Sequence, residues 1–322
     1  MVAVDLIGAD ATDAQGQGFP RVYQAQQPVG LHGALQWLQQ AAPDIREQLD
    51  QSGAVVLRGF GLSTDQDFDQ IIQAFGWPNF TYADSLSNAV RRNRTERVFT
   101  ANEAPQDVSI YLHHEMAQTP IYPSRLFFFC EQPAAQGGAT PICRSDWLLE
   151  RLTQVAPDFV SQCRHKGVKY SQTMPYAEDL ASGQGRSWRS TLSAEDRAGA
   201  EAKLQRLGYQ WQWREDEALS VTTPVLPAVR ELADGSYAFF NQLIAAFYGW
   251  KDARNQGSNA IRFGDDTPID ADAMAQAIEL AEGLAVDLTW QLGDVALVDN
   301  FRVMHGRRPF QGQRRVLASL VG

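Results

Sequence analysis

Two apolar runs, too short to form long helices, predict buried strands. The first, GAVVLRGF, covers residues 53–60, and the second, SRLFFFCEQP, covers residues 124–133. Both are rich in β-branched or aromatic residues and border on turn-forming residues, which is typical of a strand buried on both faces. Apolar runs and turn signals also alternate through residues 286–322. Strands are therefore predicted to dominate the region near residue 115 and the C-terminal part.

Apolar residues at helical spacing predict helices at the start and in the middle of the chain. In STDQDFDQIIQAFG, Ser63 is the predicted N-cap, Gln66 takes the capping-box position, and Gly76 follows the end. Further helices are predicted after a cap at Ser145, over 193–208 as an amphipathic helix, and from about 270 to 282.

These elements predict a β-rich α+β fold with a β-sandwich or barrel core and helices packed outside it. Sheets of this kind often form one unit at this length, so we predict a single domain over residues 1–322. Its middle helices form a helical insert at roughly 145–283, between the two halves of the β core.

The bulk composition restricts the classes of partner. The chain has 322 residues, a formal net charge of -10 at pH 7 and 44% hydrophobic residues. The acidic balance argues against a general nucleic-acid or anionic-membrane binder. No run approaches a membrane span, and the N-terminus lacks the pattern of a signal peptide. The odd set Cys130, Cys143 and Cys163 is typical of buried or free thiols, and a cytoplasmic location is predicted.

The segment YLHHEMAQTP, residues 111–120, places two histidines beside a glutamate. A zinc-protease motif would need a second histidine where Gln118 stands, so a helical metal motif is excluded. If the segment is a strand, His113 and Glu115 share one face and His114 takes the other. Their Cα atoms would then lie roughly 7 Å apart, close enough for both side chains to reach one ion.

A third ligand must come from elsewhere. His32 opens a helix and His165 lies in a polar segment, so a surface position is favoured for both. His305 follows a predicted strand and, with His113 and Glu115, completes two imidazoles and one carboxylate. That set is the facial triad of non-heme Fe(II) oxygenases, which leaves positions open for a co-substrate and oxygen. A zinc-dependent hydrolase with the same ligands, or a non-catalytic β-barrel that binds a small molecule, remains an alternative.

Three residues could receive the co-substrate. Arg314 and Arg315 follow His305 on the next predicted strand, and a guanidinium near the metal can pair with the far carboxylate of a dicarboxylate. Thr140, in GGATPI, could return beside the metal and donate its hydroxyl to the same carboxylate.

Two further segments carry weaker signals. Arg91, Arg92, Arg94 and Arg97 cluster in RRNRTER, for which a solvated loop is the preferred interpretation and an anion-facing lid the alternative. In YAFFNQ, Phe240, Asn241 and Gln242 belong either to the pocket or to the core.

The two longest informative segments resemble the TauD/TfdA-like dioxygenase family. They are LHHEMAQTPIYPSRLFFFCEQPAAQGGATPI and LGDVALVDNFRVMHGRRPFQGQRRVLASL, and the similarity extends from about Gly53 onward. The resemblance implies a double-stranded β-helix (jelly roll) and a dioxygenase that uses Fe(II), 2-oxoglutarate and O2. The residue pattern of the first segment is similar to that of the subgroup which modifies amino acids in natural-product pathways, including syringomycin-type aspartate hydroxylases.

The resemblance also implies roles for individual residues. His113, Glu115 and His305 match the iron ligands, and His114 matches no ligand. Thr140 matches a threonine that touches 2-oxoglutarate, and Arg314 best matches the 2-oxoglutarate arginine, with Arg315 as the competing assignment.

The substrate expected from the resemblance is an amino acid or a derivative, free or linked to a carrier, that is hydroxylated at an unactivated carbon. Ala318 stands where the taurine enzymes carry a second arginine for the sulfonate, which argues against a sulfonate. Glu115 occupies the ligand position that related halogenases give up, which argues against halogenation. Desaturation or cyclisation remains an alternative outcome, and a homo-oligomer is compatible with the sequence.

Overall fold

The computed structural model describes residues 2–7, 11–12, 18–80, 86, 91–101, 104–179, 185–249 and 260–322. Its helices are α1 (Gly30–Ser52), α2 (Asp65–Ala74), α3 (Ser145–Val155), α4 (Pro157–Lys166), α5 (Trp188–Leu192), α6 (Arg197–Arg206), α7 (Leu243–Gly249) and α8 (Ala271–Leu284).

The strands are β1 (Val4–Ile7), β2 (Ala11–Thr12), β3 (Gly18–Phe19), β4 (Arg21–Ala25), β5 (Ala54–Arg58), β6 (Phe99–Thr100), β7 (Ile110–His113), β8 (Arg125–Gln132), β9 (Gln136–Gly137), β10 (Thr140–Arg144), β11 (Val168–Met174), β12 (Gln210–Trp213), β13 (Leu219–Thr222), β14 (Arg230–Glu231), β15 (Tyr237–Ala238), β16 (Ile261–Phe263), β17 (Val286–Leu288), β18 (Val295–Asp299), β19 (Val303–Arg307), β20 (Phe310–Gln311) and β21 (Arg315–Val321). The strands predicted over 53–60 and 124–133 are confirmed as β5 and β8.

Two sheets face each other and bury an apolar layer between them. The large sheet has the strand order β1-β4-β5-β18-β8-β21-β6, and the small sheet has the order β17-β10-β19-β7. Alternate residues of β21 show how the faces divide, since Ala318 packs into the layer between the sheets and Leu317 packs on the outer side. The small sheet contributes Ile142 and Val303 to the same inner layer. The predicted β-rich α+β class is confirmed.

Helices cover the outer faces of both sheets. The amphipathic helices α1 and α2 bring Leu49 and Phe68 to the apolar cluster on the outer face of the large sheet, where the Phe68 ring stacks on that of Phe129. Helices α3 and α8 place Leu148 and Met274 on the outer face of the small sheet. This cover leaves the layer between the sheets as the place where inward-facing polar residues can form a site. No helix in the described part of the chain has the length and apolar character needed to cross a bilayer.

The segment 145–283 contains strands as well as the predicted helices. Strands β12, β13, β11 and β16 form a third sheet in that order, and β14 pairs with β15. The sheet formed by these strands was not predicted, although the alternation in QWQW of β12 is a strand pattern. That the whole chain forms one domain stays a prediction.

Two predicted helix starts are wrong by one residue. The N-cap of α2 is Thr64 instead of Ser63, and the capping-box partner is Asp67 instead of Gln66. The Thr64 hydroxyl accepts a hydrogen bond from the Asp67 amide, and the Asp67 carboxylate accepts one from the Thr64 amide in return. Ser145 is the first residue of α3 and not its N-cap, because its hydroxyl donates to the Arg302 carbonyl.

The two other predicted helices are confirmed with shifted bounds. The helix predicted over 193–208 begins later, at Arg197, because the Asp196 side chain accepts from the Gly199 amide and caps it. The helix predicted from about 270 is α8, capped by the Asp270 side chain. The three cysteines, Cys130, Cys143 and Cys163, are buried and free, as predicted.

Candidate active site

The two candidate histidines lie in one row across the small sheet. The central strand β19 pairs on one side with β10, which sets Ile142 opposite His305, and on the other with β7, which sets His305 opposite His113. Directly paired residues project their side chains on the same face. Ile142 lies in the layer between the sheets, so both imidazoles point into that layer. Their ring centroids are 4.4 Å apart.

The strand interpretation of Glu115 is wrong, although its side chain does join the histidines. Strand β7 ends at His113, and residues 115–118 form a turn in which Met116 has a positive φ of 60°. The Asn300 side chain holds this turn, because its Oδ1 accepts from the Glu115 amide at 2.7 Å and its Nδ2 donates to the Glu115 carbonyl at 2.9 Å. Asn300 thus takes both backbone hydrogen-bonding groups that a continuing strand would have used.

His113, Glu115 and His305 offer donor atoms that all lie within 4.8 Å of one another. His113 Nδ1 donates to the Tyr111 carbonyl at 2.8 Å, so the lone pair is on Nε2. Burial lowers the pKa of His113 to about 4, and His305 acts in the same direction. Its imidazole is therefore neutral at neutral pH, as metal coordination requires. Two imidazoles and one carboxylate fit iron.

The carboxylate of Glu115 is buried and paired with an arginine. Arg91 Nη2 donates to Glu115 Oε1 at 2.8 Å, while Oε2 lies 3.5 Å from His305 Nε2. Burial alone would raise the pKa of Glu115, but Arg91 and His305 together hold it well below its usual range. The carboxylate is therefore ionised at neutral pH.

His114 lies apart from this cluster and supports the turn. Its Nδ1 donates to the Asn300 carbonyl at 2.5 Å, and its ring lies 4.8 Å from that of Phe240. The Gln242 side chain donates to the His114 carbonyl at 2.9 Å. The segment YAFFNQ thus packs behind the turn. Burial lowers the pKa of His114 to about 3, so this ring is neutral as well.

Thr140 and Arg314 meet farther along the small sheet. Thr140 shares a face with Ile142, the partner of His305, at a distance of roughly 7 Å along the strand. Its hydroxyl accepts from Trp290 Nε1 at 3.0 Å and from Arg314 Nη2 at 3.4 Å. Arg314 Nε donates to the carbonyl of Gly138. Any other residue at position 138 would place its Cβ 3.0 Å from Cδ of Arg314, so glycine makes room for the arginine side chain. Burial lowers the pKa of Arg314 to about 10, so the guanidinium stays charged.

Arg315 points away from Thr140. It is the first residue of β21, its Nε donates to Glu131 Oε2 at 2.8 Å, and its side chain is 51% exposed. Neighbouring residues take opposite faces where a strand begins, so only one of the two arginines reaches the inner layer. The structure brings Arg314, and not Arg315, to Thr140.

Arg91 belongs to the candidate active site, although the favoured prediction placed it in a solvated loop. A solvated loop was the favoured interpretation for its cluster, yet its side chain is only 7% exposed. Two other members pair within the protein, Arg94 with Asp65 and Arg97 with Asp69. Composition alone could not distinguish Arg91 from its neighbours. His32 and His165 are exposed, as predicted.

Comparison with known proteins identifies the family. Residues 17–320 match the model of the taurine catabolism dioxygenase TauD, TfdA family. The chain belongs to this family. It is therefore an oxygenase dependent on iron and 2-oxoglutarate that acts on a small molecule, and the site described above has the donors which that cofactor needs.

Two relatives in sequence and one solved structure illustrate the similarity. A clavaminate synthase-like protein of Arabidopsis thaliana is 40% identical over 273 residues, 84% of this chain and 82% of that protein. The dapdiamide synthesis protein DdaC of Enterobacter agglomerans is 26% identical over 293 residues, 86% of this chain and 84% of that protein. PvcB of Pseudomonas aeruginosa, an Fe, alpha-ketoglutarate dependent oxygenase from an isonitrile synthetic pathway, superposes with a TM-score of 0.51 at 12% identity, covering 99% of this chain and 91% of that one. The predicted jelly-roll fold is thus confirmed.

Proposed function

We propose that this dioxygenase hydroxylates an unactivated carbon of an amino acid or amino-acid derivative in natural-product biosynthesis. The sequence resembles the amino-acid-modifying subgroup, and one relative is named for dapdiamide synthesis. The observation that carries the proposal is the row of His113 and His305 with Glu115 beside it and the Thr140–Arg314 pair two residues farther along β10.

In this proposal His113, Glu115 and His305 hold iron. The neutral imidazole of His113 offers Nε2 because its other nitrogen is committed to Tyr111. The ionised Glu115 supplies the one negative charge among the three ligands. The three ligands leave the remaining coordination positions to 2-oxoglutarate and oxygen.

Arg314 binds the far carboxylate of 2-oxoglutarate in the same proposal. Among the described residues, no carboxylate forms an ion pair with Arg314, whose bonds go to Gly138 and Thr140. A buried charge is stabilised when an opposite charge joins it, so the guanidinium favours an anionic ligand. Thr140 already accepts from Trp290 and Arg314, which leaves its hydroxyl proton available to that carboxylate.

When bound, iron with 2-oxoglutarate and oxygen supplies the oxidising power to break an unactivated C–H bond. The protein supplies orientation and shelter. The rings of Phe128 and His305 lie 5.2 Å apart, so an apolar wall borders the metal ligands. Glu115 fills the ligand position that halogenases leave to halide, and this favours hydroxylation.

The wall of the inner layer disfavours a sulfonate substrate. Ala318 is buried and faces that layer. Where the taurine enzymes have an arginine that binds the sulfonate, this chain therefore offers only a methyl group. An acidic carrier protein could dock only on a basic surface, and Arg94 and Arg97 of the RRNRTER cluster are already paired with acidic residues of the protein. We therefore propose a free amino acid ahead of a carrier-linked one.

Two measurements test this function. Ferrous iron with 2-oxoglutarate should give a weak visible charge-transfer band under anaerobic conditions, and a screen of free and carrier-linked amino acids should reveal substrate-dependent release of succinate. The product should gain one oxygen atom, whereas desaturation or cyclisation would instead remove two hydrogens. If taurine or another sulfonate proves the best substrate, the proposal is wrong.

A further inference from the structure

The guanidinium of Arg91 is held between the candidate metal ligands and the large sheet. Its Nη2 lies 2.8 Å from Glu115 Oε1, and its central carbon lies 5.2 Å from the ring centroid of Phe99. Phe99 belongs to β6, whose pairing with β21 sets it opposite Ala318. The arginine and the carboxylate are almost fully buried, with side chains 7% and 6% exposed.

The two oxygens of Glu115 have different neighbours. Oε1 accepts the charge-assisted hydrogen bond from Arg91, and Oε2 faces His305 Nε2 at 3.5 Å. Oε2 is thus the oxygen that the structure places beside the imidazole of His305. An oxygen engaged by a buried guanidinium has to lose that bond before it can approach a cation.

We infer that Arg91 is a positioning residue which restricts Glu115 to binding the iron through one oxygen. A carboxylate binds a metal through one oxygen or through two. A second oxygen of Glu115 would take one of the positions that 2-oxoglutarate and oxygen need. The inference rests on the proposed role of Glu115 as an iron ligand.

This role makes a prediction that differs from that of an ordinary stabilising ion pair. Without Arg91, both oxygens are free to bind the metal, so metal affinity is kept while 2-oxoglutarate meets a competitor for its position. A merely structural role would instead lower metal affinity and 2-oxoglutarate affinity together, because the ligand itself would be misplaced.

The test compares Arg91→Met and Arg91→Lys with Arg92→Met as the matched control, since Arg92 is the exposed neighbour. Circular dichroism and thermal melting establish that each variant is folded. Mn(II) affinity is measured by titration of the metal-free protein. Affinity for 2-oxoglutarate is then measured anaerobically on the Fe(II)-loaded protein by the charge-transfer band.

In Arg91→Met we expect Mn(II) affinity to stay within about tenfold, because the second oxygen of Glu115 makes up for the 10–100-fold that loss of an outer partner otherwise costs. We expect 2-oxoglutarate affinity to fall by about ten- to hundredfold, because that oxygen occupies a position the co-substrate needs. Arg91→Lys keeps one donor and should be intermediate; it carries the test if Arg91→Met does not fold. Arg92→Met should match the unmodified protein.

Two results would overturn the inference. One is unchanged 2-oxoglutarate affinity in a folded Arg91 variant, and the other is a parallel loss of Mn(II) affinity. If the unmodified protein gives no charge-transfer band, the proposed function fails first, so the two failures are distinguishable.

Discussion

The two ends of the active site balance their charges differently. At the metal end, the carboxylate of Glu115 is paired with Arg91. At the other end, Arg314 bonds only neutral oxygens among the described residues, and the nearby Arg307 adds a second positive charge. The metal end is therefore neutralised within the protein, whereas the co-substrate end keeps a positive charge that a bound anion would balance.

The two ends also differ in how they are held. The metal end depends on a side chain distant in sequence, because Asn300 fixes the turn that carries Glu115. At the co-substrate end the binding side chain is itself held directly, because Arg314, just before β21, bonds Gly138 and Thr140 near the start of β10 without any contribution from Asn300. A change at one end should consequently leave the other largely intact.

The largest effect is expected from loss of a metal ligand. His305→Ala should reduce iron affinity by more than the 10–100-fold that an outer hydrogen-bonding partner contributes, because one of three donors is gone. Metal titration of the purified protein measures this. His165→Ala, at an exposed histidine, is the matched control and should leave iron affinity unchanged. Equal losses in both variants would contradict the assignment of His305.

Asn300→Ala should lower the free energy of unfolding by roughly 3 kcal/mol, because it leaves buried backbone groups without partners at about 1–3 kcal/mol each. Asn300 Nδ2 also donates to the Pro123 carbonyl, so more than the turn is affected. Urea denaturation measures the change, and iron affinity should fall with it. The control Asn93→Ala, at an exposed position, should stay within about 0.5 kcal/mol. An Asn300 variant as stable as its control would show that the turn is held by other contacts.

The sequence predicted which residues meet but not how the metal end is built. The H-x-E pattern named His113 and Glu115, and His305 was added because it completes the two imidazoles and one carboxylate of an iron-binding triad. The strand ends early because Asn300 captures the Glu115 backbone, and a partner 185 residues away leaves no local pattern. Arg91 was missed for the same reason, since its burial depends on Phe99 and Glu115.

The start of helix α2 could not be predicted to the residue from the sequence. The segment that begins α2 offers two hydroxyl residues in succession, Ser63 and Thr64, and both are competent N-caps. Each also has a suitable partner three residues later, Gln66 for Ser63 and Asp67 for Thr64, and the structure forms the pair of Thr64 with Asp67. In contrast, strand alternation allows only one of Arg314 and Arg315 to face the inner layer, and the family resemblance favours Arg314. In the structure Arg314 is the one that reaches Thr140.

The two arginines provide the sharpest test of the co-substrate end. Truncation of one partner of a buried charge pair costs on the order of 2–5 kcal/mol. Arg314→Ala should therefore raise the Michaelis constant for 2-oxoglutarate about a hundredfold, at about 1.4 kcal/mol per factor of ten. Arg315→Ala should have little effect, because an exposed charge is worth roughly 0–1 kcal/mol. Steady-state titration of 2-oxoglutarate decides between them, and a larger penalty for Arg315→Ala would make Arg315 the residue that binds it.

The smallest expected effect concerns the hydroxyl of Thr140. Thr140→Val keeps the shape of the side chain but removes the donor to the co-substrate and the acceptor for Trp290 Nε1. A hydrogen bond of this kind contributes about 1 kcal/mol, so the Michaelis constant for 2-oxoglutarate should rise roughly fivefold. Thr140→Ser keeps the hydroxyl and should stay within about twofold of the unmodified enzyme. Iron affinity should be the same in both variants, because the metal end does not depend on this residue. A loss of iron binding in Thr140→Val would show that the two ends are coupled through β10 and would contradict their independence.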